Sequence, residues 1–303
     1  MAQDGKLPRR GPAVKLAART RFIPSQPARR DPRADFSPDA PDHTRTAARM
    51  QSCVAMRSHS STLVGVNLIL FDRTELERPL PRTDRRAAHL LGVLRRQLGD
   101  TFDAGVINGE RGKGTLAAVS DESLTFSFAW ETGGSPAEPI TLLVGLPRPQ
   151  TARDILRDAT TLGVDALHFV RTEKGESSYA QSTLWSSGEW RRHVIAGAEQ
   201  AFSTRVPEVT VGSTLADALA ALAPDTRLAL DNYESATPLS QCRLSSDPHA
   251  VLALGGERGW SAAEREVLRA HRFQFHHLGP RVLRTETACT AALTLVRAKL
   301  GLT

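Results

Sequence analysis

The sequence predicts an α/β protein: a mostly parallel sheet covered by helices, preceded by a smaller β-rich part. Three observations carry this. From Ile140 onward, apolar runs of strand length alternate with stretches of helical periodicity, which is the pattern of a parallel sheet with helices on its faces. Between Val66 and Phe128 short apolar runs are separated by Gly and Asp, with one helical stretch among them. Two glycine-containing segments, 255–261 and 278–288, each lie between an apolar strand and a helix, where ligands of such sheets bind.

In chain order, the β-rich part holds strands at Val66–Phe71, Thr101–Ile107, Gly114–Val119 and Leu124–Phe128, with Asn108-Gly109 as a turn signal. A helix is expected over Arg85–Leu98, where Ala88, Leu91, Val93, Leu94 and Leu98 follow helical spacing before Gly99. Glu131–Pro139 reads as a linker. The second part then runs strand Ile140–Leu146, helix Thr151–Leu162 ending at Gly163, strand Ala166–Val170, helix Glu189–Phe202, helix Leu215–Leu222 and strand Arg227–Leu230. It continues with strand Val251–Leu254, helix Ala262–Ala270, strand Gln274–Leu278 and a last helix from about Thr287 to Leu300. Ser261 with Glu264 forms a capping box that fixes where its helix starts.

Residues 1 to 64 are rich in Pro, Arg, Ser and Asp, lack periodicity, and are expected to be a disordered basic extension. Asp31, Asp35, Asp39 and Asp42 spoil the acid-poor pattern of an organelle-targeting peptide, and Met50 and Met56 leave a later start of translation open. The formal charge of +6 belongs to this segment. Residues 1–60 carry 12 basic and 5 acidic side chains, the rest of the chain 27 and 28, so any nucleic-acid contact in the body must come from local clusters. One such cluster is Arg82–Arg96, with five arginines, His89 and a single acid, Asp84. A solvated helix face is the plain reading of it, and His89 by itself is more often a packing residue than a ligand.

No apolar run approaches the roughly 20 residues of a membrane span. Cys53, Cys242 and Cys289 have neither the number nor the spacing of a disulfide framework or zinc site, so no metal is expected, and Cys289 reads as a core residue. Trp185 and Trp190 are assigned to packing.

Chemistry is concentrated in the two loops. In Leu254-Gly255-Gly256-Glu257-Arg258-Gly259-Trp260-Ser261 three glycines let backbone amides approach a ligand, although an ordinary strand-to-helix turn has the same look. The spacing is neither a dinucleotide fingerprint nor a P-loop. In Leu278-Gly279-Pro280-Arg281-Val282-Leu283-Arg284-Thr285-Glu286-Thr287-Ala288, two arginines and a glutamate stand beside apolar residues, and charges so placed are paired or functional.

The two segments together resemble the paired cofactor loops of the bacterial 16S rRNA uracil-N3 methyltransferase family, a member of the SPOUT class. Further matches are His89-Leu90-Leu91, Leu146-Pro147-Arg148, Glu173-Lys174 with Ser178-Tyr179, and Glu199-Gln200 before Val206-Pro207-Glu208-Val209. The family commonly has Gly-Pro-Glu-Gly-Gly where this chain has Gly255-Gly256-Glu257-Arg258-Gly259.

The resemblance implies a PUA-like RNA-binding β-barrel over 65–133 and a trefoil-knotted methyltransferase domain over 138–303, in a cytoplasmic homodimer acting on 16S rRNA or the small ribosomal subunit. It implies S-adenosylmethionine as cofactor, held by Leu230, Leu254, Gly255, Gly256, Glu257, Gly259, Leu278, Gly279, Arg281, Leu283, Arg284 and Thr285. Arg284 is the expected electrostatic catalyst, with Glu286 orienting it or accepting the proton; a purely structural Arg284–Glu286 pair is the alternative. Arg82, Arg85, Arg86, His89, Arg95, Arg96 and Arg148 are the expected RNA contacts. A ribose 2′-oxygen or guanine target, or a catalytically silent RNA-binding assembly factor, stays open beside the uracil reading.

Overall fold

The computed structural model describes residues 68–222, 226–244 and 249–302. The expected extension at 1–64 and Cys53 lie outside these residues. The first sheet contains β1 (Leu68–Phe71), β2 (Leu80–Pro81), β3 (Thr101–Val106), β4 (Glu110–Val119) and β5 (Ser123–Gly134) in the order β1-β3-β4-β5-β2. Only the β1–β3 pair is parallel. Two register shifts in the β4–β5 ladder bend these long strands, so the mixed sheet curls around its own core. Phe71, Phe102, Leu116 and Leu124 fill that core, and Phe126 meets Phe71 and Phe102 edge-on.

Two expectations are corrected in this region. The helix expected over Arg85–Leu98 forms but stops at Val93, α1 (Arg85–Ala88) running directly into a π-helical stretch at His89–Val93; Val93 and Leu98 are 68% and 67% exposed. Their apolar spacing does not correspond to one buried face, and Arg95 leaves the segment with a left-handed φ of 51°. The expected linker at Glu131–Pro139 is mostly strand: β5 runs to Gly134, which pairs with Glu110, and β6 (Glu138–Gly145) follows after three residues. Glu138 is fixed by both arms of the Arg297 guanidinium, at 2.6 and 2.7 Å.

The second sheet adds β7 (Val164–Arg171), β8 (Glu208–Thr214), β9 (Thr226–Leu230), β10 (Thr237–Pro238), β11 (Ala250–Leu254) and β12 (Gln274–His277) to β6. Its order is β10-β12-β9-β11-β6-β7-β8, and every pair is parallel. The central strand β11 (AVLAL) is buried along its whole length, as its unbroken apolar sequence requires between two helical layers. One face carries α2 (Pro149–Thr161), α3 (Thr183–Ser186), α4 (Glu189–Gln200) and α7 (Thr285–Lys299), which bury Ile155, Leu156, Trp185, Val194 and Leu293 against the sheet. The other carries α5 (Leu215–Ala220) and α6 (Ala262–Ala270), packed around Leu219, Trp260 and Leu268. Cys289 is 2% exposed in the first of these cores, and burial pushes its thiol far above the usual range.

Helix α4 also joins the two sheets. Ala198 packs against Leu68 and Leu70, the Leu70 N–H donates to Glu199 Oε1 at 3.2 Å, and Arg191 pairs with Asp72 at 2.7 Å. At its start Glu189 accepts from Arg153 of α2 at 2.8 Å and lies near His193; Arg153 chiefly, then His193, hold its carboxyl at about 2 instead of the ordinary 4.5. A depressed carboxylate stabilises the fold above its unfolded value and loses that contribution as the pH falls through the folded one. Stability by urea denaturation should therefore drop between pH 4.5 and about pH 2, and Glu189→Gln should flatten that limb. An unchanged acid limb in the variant would show that the pair contributes nothing.

Candidate functional site

Leu230 of β9 stands in register with Leu254 of β11 and with His276 of β12, and Leu254 with Val144 of β6. These strands therefore end at one level, and the segments after them leave the same edge of the sheet. Leu146, Leu230, Leu254, Leu278 and Ala288 all belong to or pack on one apolar cluster, which underlies these loop starts.

The glycine loop is built by close approach. A Cβ on Gly255 would stand 2.7 Å from Gly259 Cα and 2.9 Å from Trp260 N, and one on Gly145 would stand 2.4 Å from Gly256 N. Only glycine fits either place, so the loop folds tightly on itself and against the end of β6. Gly259 closes the turn with φ 63°, its N–H donating to the Gly256 carbonyl at 2.9 Å. Below it, buried Glu264 accepts from the Ser261 N–H at 2.7 Å and from the Glu173 N–H at 2.8 Å, completing the expected capping box and tying the loop to the segment after β7. Lys174 Nζ donates to the Trp260 carbonyl at 2.8 Å, and Arg258 reaches Glu176 at 3.4 Å. The Arg148 N–H donates to Glu257 at 3.0 Å.

These loops enclose a cavity of about 260 Å³, lined among others by Arg148, Thr172, Lys174, Tyr179, Gly256 and Arg258. Three cations, two of them facing the lining carboxylates Glu257 and Glu176, leave this small cavity net positive, which suits a phosphate-sized anionic group. Arg148, Gly256, Glu257 and Gly259 were expected site residues. Thr172, Lys174 and Tyr179 were not assigned a role from sequence; the signal was present, because Thr172–Gly175 is also a segment leaving a strand's carboxyl end.

The segment after β9 is held by a buried ion pair. Asp231 Oδ2 accepts from Arg265 Nε at 2.7 Å, their side chains being 2% and 10% exposed, while Oδ1 accepts from the Tyr233 and Glu234 N–H groups. The Arg265 guanidinium lies 5.5 Å from the Tyr233 ring centre. Tyr233 itself is 82% exposed.

The loop after β12 starts at Leu278, and Gly279 adopts φ 106° with its N–H donating to His277 Nδ1 at 3.0 Å. Val282 is 87% exposed, Arg281 and Arg284 are exposed, Leu283 is half-buried and Thr285 buried. Arg284 caps α7 through its backbone, and its carbonyl accepts from the Ala288 N–H at 2.8 Å. Among the described residues no hydrogen bond or ion pair joins Arg284 to Glu286 or engages either side chain elsewhere, and the Glu286 charge adds to the rise of the nearby Cys289 thiol. Arg281, Leu283, Arg284 and Thr285 do not line the 260 Å³ cavity; β9 separates their strand from β11.

Of the arginine cluster, Arg86 is committed elsewhere. It binds Glu75, Asp84 and the Leu70 carbonyl, is only 14% exposed, and by its hydrogen bonds keeps Glu75 below the usual carboxylate range. Arg82 donates to the Ser120 carbonyl at 3.1 Å, Arg95 is exposed, and Arg96 Nε is buried without a partner. Arg85, Arg86 and His89 line a second cavity beside α4.

Among the described residues no group of three or more His, Cys, Asp or Glu side chains could hold a metal ion, and no helix is long and apolar enough to cross a membrane.

Residues 134–297 match the model of the RNA methyltransferase domain family. The chain is 35% identical over 243 residues to the ribosomal RNA small subunit methyltransferase E of Treponema pallidum, covering 77% of this chain and 91% of that protein. Its fold is similar to that of the Neisseria gonorrhoeae ribosomal RNA small subunit methyltransferase E bound to S-adenosylmethionine, with a TM-score of 0.65, 24% identity, and 77% and 97% of the two chains covered. A Legionella pneumophila methyltransferase in complex with the same cofactor gives a TM-score of 0.66 at 21% identity, over 78% and 98%.

Proposed function

Because this chain belongs to the RNA methyltransferase domain family, alongside the small-subunit ribosomal RNA methyltransferases E, we propose that it transfers a methyl group from S-adenosylmethionine to N3 of one uridine in 16S rRNA. The observation that carries the reading is the tight glycine loop at 255–259, which starts level with the end of β9, the strand between β11 and β12, on a common apolar floor.

The residues fit the cofactor. Leu230, Leu254, Leu278 and Leu283 offer an apolar bed for an adenine ring, while Gly255, Gly256, Gly259 and Gly279 expose backbone without side-chain obstruction. Glu257 and Thr285 are the nearby polar groups, and Arg281 borders the same loop. When bound, the cofactor supplies a methyl group already activated by its sulfonium. What remains for the protein is to hold the base in line and ease loss of the N3 proton. As that proton leaves, charge spreads onto the two uracil carbonyl oxygens, and the unpaired Arg284 guanidinium stabilises it there. Glu286 accepts the proton or orients Arg284.

Arg148, Lys174 and Arg258, around the cavity beside the glycine loop, neutralise phosphates next to the target nucleotide, whose base lies toward Arg284. Arg82, Arg85, His89, Arg95 and Arg96 hold flanking RNA on the curled sheet, with Arg86 supporting that surface through Glu75 and Asp84. The curled sheet is the PUA-like module over 65–133, and 138–303 is the knotted methyltransferase domain. Tyr233 and Val282, the two most exposed large apolar residues among those described, lie on loops at the cofactor edge; a second copy of the chain covers them in a cytoplasmic homodimer.

Arg284→Ala tests the catalytic assignment. Turnover on small-subunit RNA should fall about 10²- to 10³-fold, the effect of losing one donor to a developing oxyanion, while the calorimetric Kd for S-adenosylmethionine changes little. Unchanged turnover would remove Arg284 from the chemistry, and no cofactor binding by the unmodified chain would remove the enzyme reading.

A further inference from the structure

A second cavity, of about 410 Å³, opens where β1 and α1 meet α4, and it shares no residue with the cavity at the glycine loop. Its size falls among small-molecule sites, which run from about 300 to 1,000 Å³. Leu68, Ile69 and Ala196 give it apolar walls, Arg85 gives it a cation, His89 an imidazole and Glu199 a carboxylate, while Arg86, also in its lining, is spent on Glu75, Asp84 and the Leu70 carbonyl. The charges are layered. The Arg85 side chain is 53% exposed, whereas that of Glu199 is 20% exposed, and burial pushes the Glu199 carboxyl above the usual range despite the nearby arginines. Glu199 Oε1 accepts the Leu70 N–H, and Arg85 stands 3.4 Å from Oε2. A carboxylate has about four acceptor positions, so two remain for an incoming donor.

A bare phosphate does not suit an acid on the inside with a single cation, Arg85, at the rim. A nucleotide does, with its base inward and its phosphate at the rim. Among the four bases, guanine alone presents two adjacent N–H donors on its Watson–Crick edge, matching the two oxygens of one carboxylate; uracil offers one N–H between two carbonyls. We infer that this cleft binds an unpaired guanosine of the RNA, its base edge on Glu199 and its phosphate between Arg85 and His89, as an anchor separate from the methylated uridine. The inference rests on the reading of this chain as an RNA methyltransferase.

The test titrates the full chain with guanosine and uridine monophosphates and with single-stranded U-rich RNA hexamers containing or lacking one G. Amide NMR shifts report the site, and S-adenosylmethionine calorimetry on every variant reports the fold. Guanosine monophosphate should shift Leu70, Arg85, His89 and Glu199 saturably, with at least about tenfold preference over uridine monophosphate, as one bidentate base contact gives. The G-containing hexamer should show the same preference. Glu199→Gln keeps an acceptor for Leu70 and should lose the preference; Ala196→Trp fills the cleft and should abolish the shifts, with cofactor binding intact in both. A preference that survives Glu199→Gln, shifts at other residues, or binding of the free nucleotide without the hexamer would overturn the proposal. Failure of the unmodified chain to methylate RNA would instead sink the functional reading and leave the nucleotide result to stand.

Discussion

Replacing Gly255 with alanine is expected to weaken S-adenosylmethionine binding more than any other single change in the loop. The new methyl carbon would sit 2.7 Å from Gly259 Cα and 2.9 Å from Trp260 N, and both are backbone atoms that no rotamer change can move aside. The turn must open, and with it the amides that would grip the cofactor. Overpacking of this kind costs about 1–3 kcal/mol or more, which corresponds to a Kd raised roughly fivefold to a hundredfold. Gly145→Ala attacks the same turn from the end of β6, where the added carbon would meet Gly256 N at 2.4 Å. Gly256→Ala is the contrast. Its nearest neighbour would be the Gly145 carbonyl oxygen at 3.2 Å and its φ is not left-handed, so a loss of less than about tenfold is expected there. Calorimetric titration of the three variants checks the ranking; equal losses, or none, would detach the glycine loop from cofactor binding.

Asp231→Ala should bring the largest loss of stability. It removes the acceptor for Arg265 Nε and for the Tyr233 and Glu234 N–H groups, leaving a guanidinium that is 10% exposed without its main partner. Breaking a buried pair by removing one side costs about 3–5 kcal/mol, or roughly 6–20 °C in Tm for a chain of this size. The segment after β9 should loosen with it, so cofactor affinity falls as well. Adding Arg265→Met to Asp231→Ala removes the stranded charge and should restore most of the stability but not the order of the loop. Urea denaturation and calorimetry on the single and double variants separate the two effects. A double variant no more stable than the single one would contradict the buried-charge argument.

How far the sequence spoke for this structure depended on how each residue meets water. Strand β11 was legible because a parallel strand covered on both faces is apolar throughout, and the start of α6 because Ser261 and Glu264 can satisfy helix-end donors in only one register. Strand β8 was missed: on the sheet edge its residues are half-buried or exposed, which leaves no apolar run to find. Glu131–Gly134 read as linker because its ladder to β4 is made of backbone hydrogen bonds, to which polar side chains and glycines give no clue. In the site, the motifs identified which segments are loops but not which loops face one another. Lys174 and Tyr179 join the glycine loop only through the adjacency of β6, β7 and β11. Arg86 looked like the other arginines of its cluster, yet Glu75, eleven positions earlier, engages it.

The most direct measurement is mass-spectrometric mapping of small-subunit rRNA after incubation with the purified chain and isotopically labelled S-adenosylmethionine. Label is expected on N3 of a single uridine, and is expected to be lost with Arg284→Ala and strongly reduced with Gly255→Ala. Label on a ribose oxygen or a guanine, or RNA that binds but acquires no label, would contradict the proposed function.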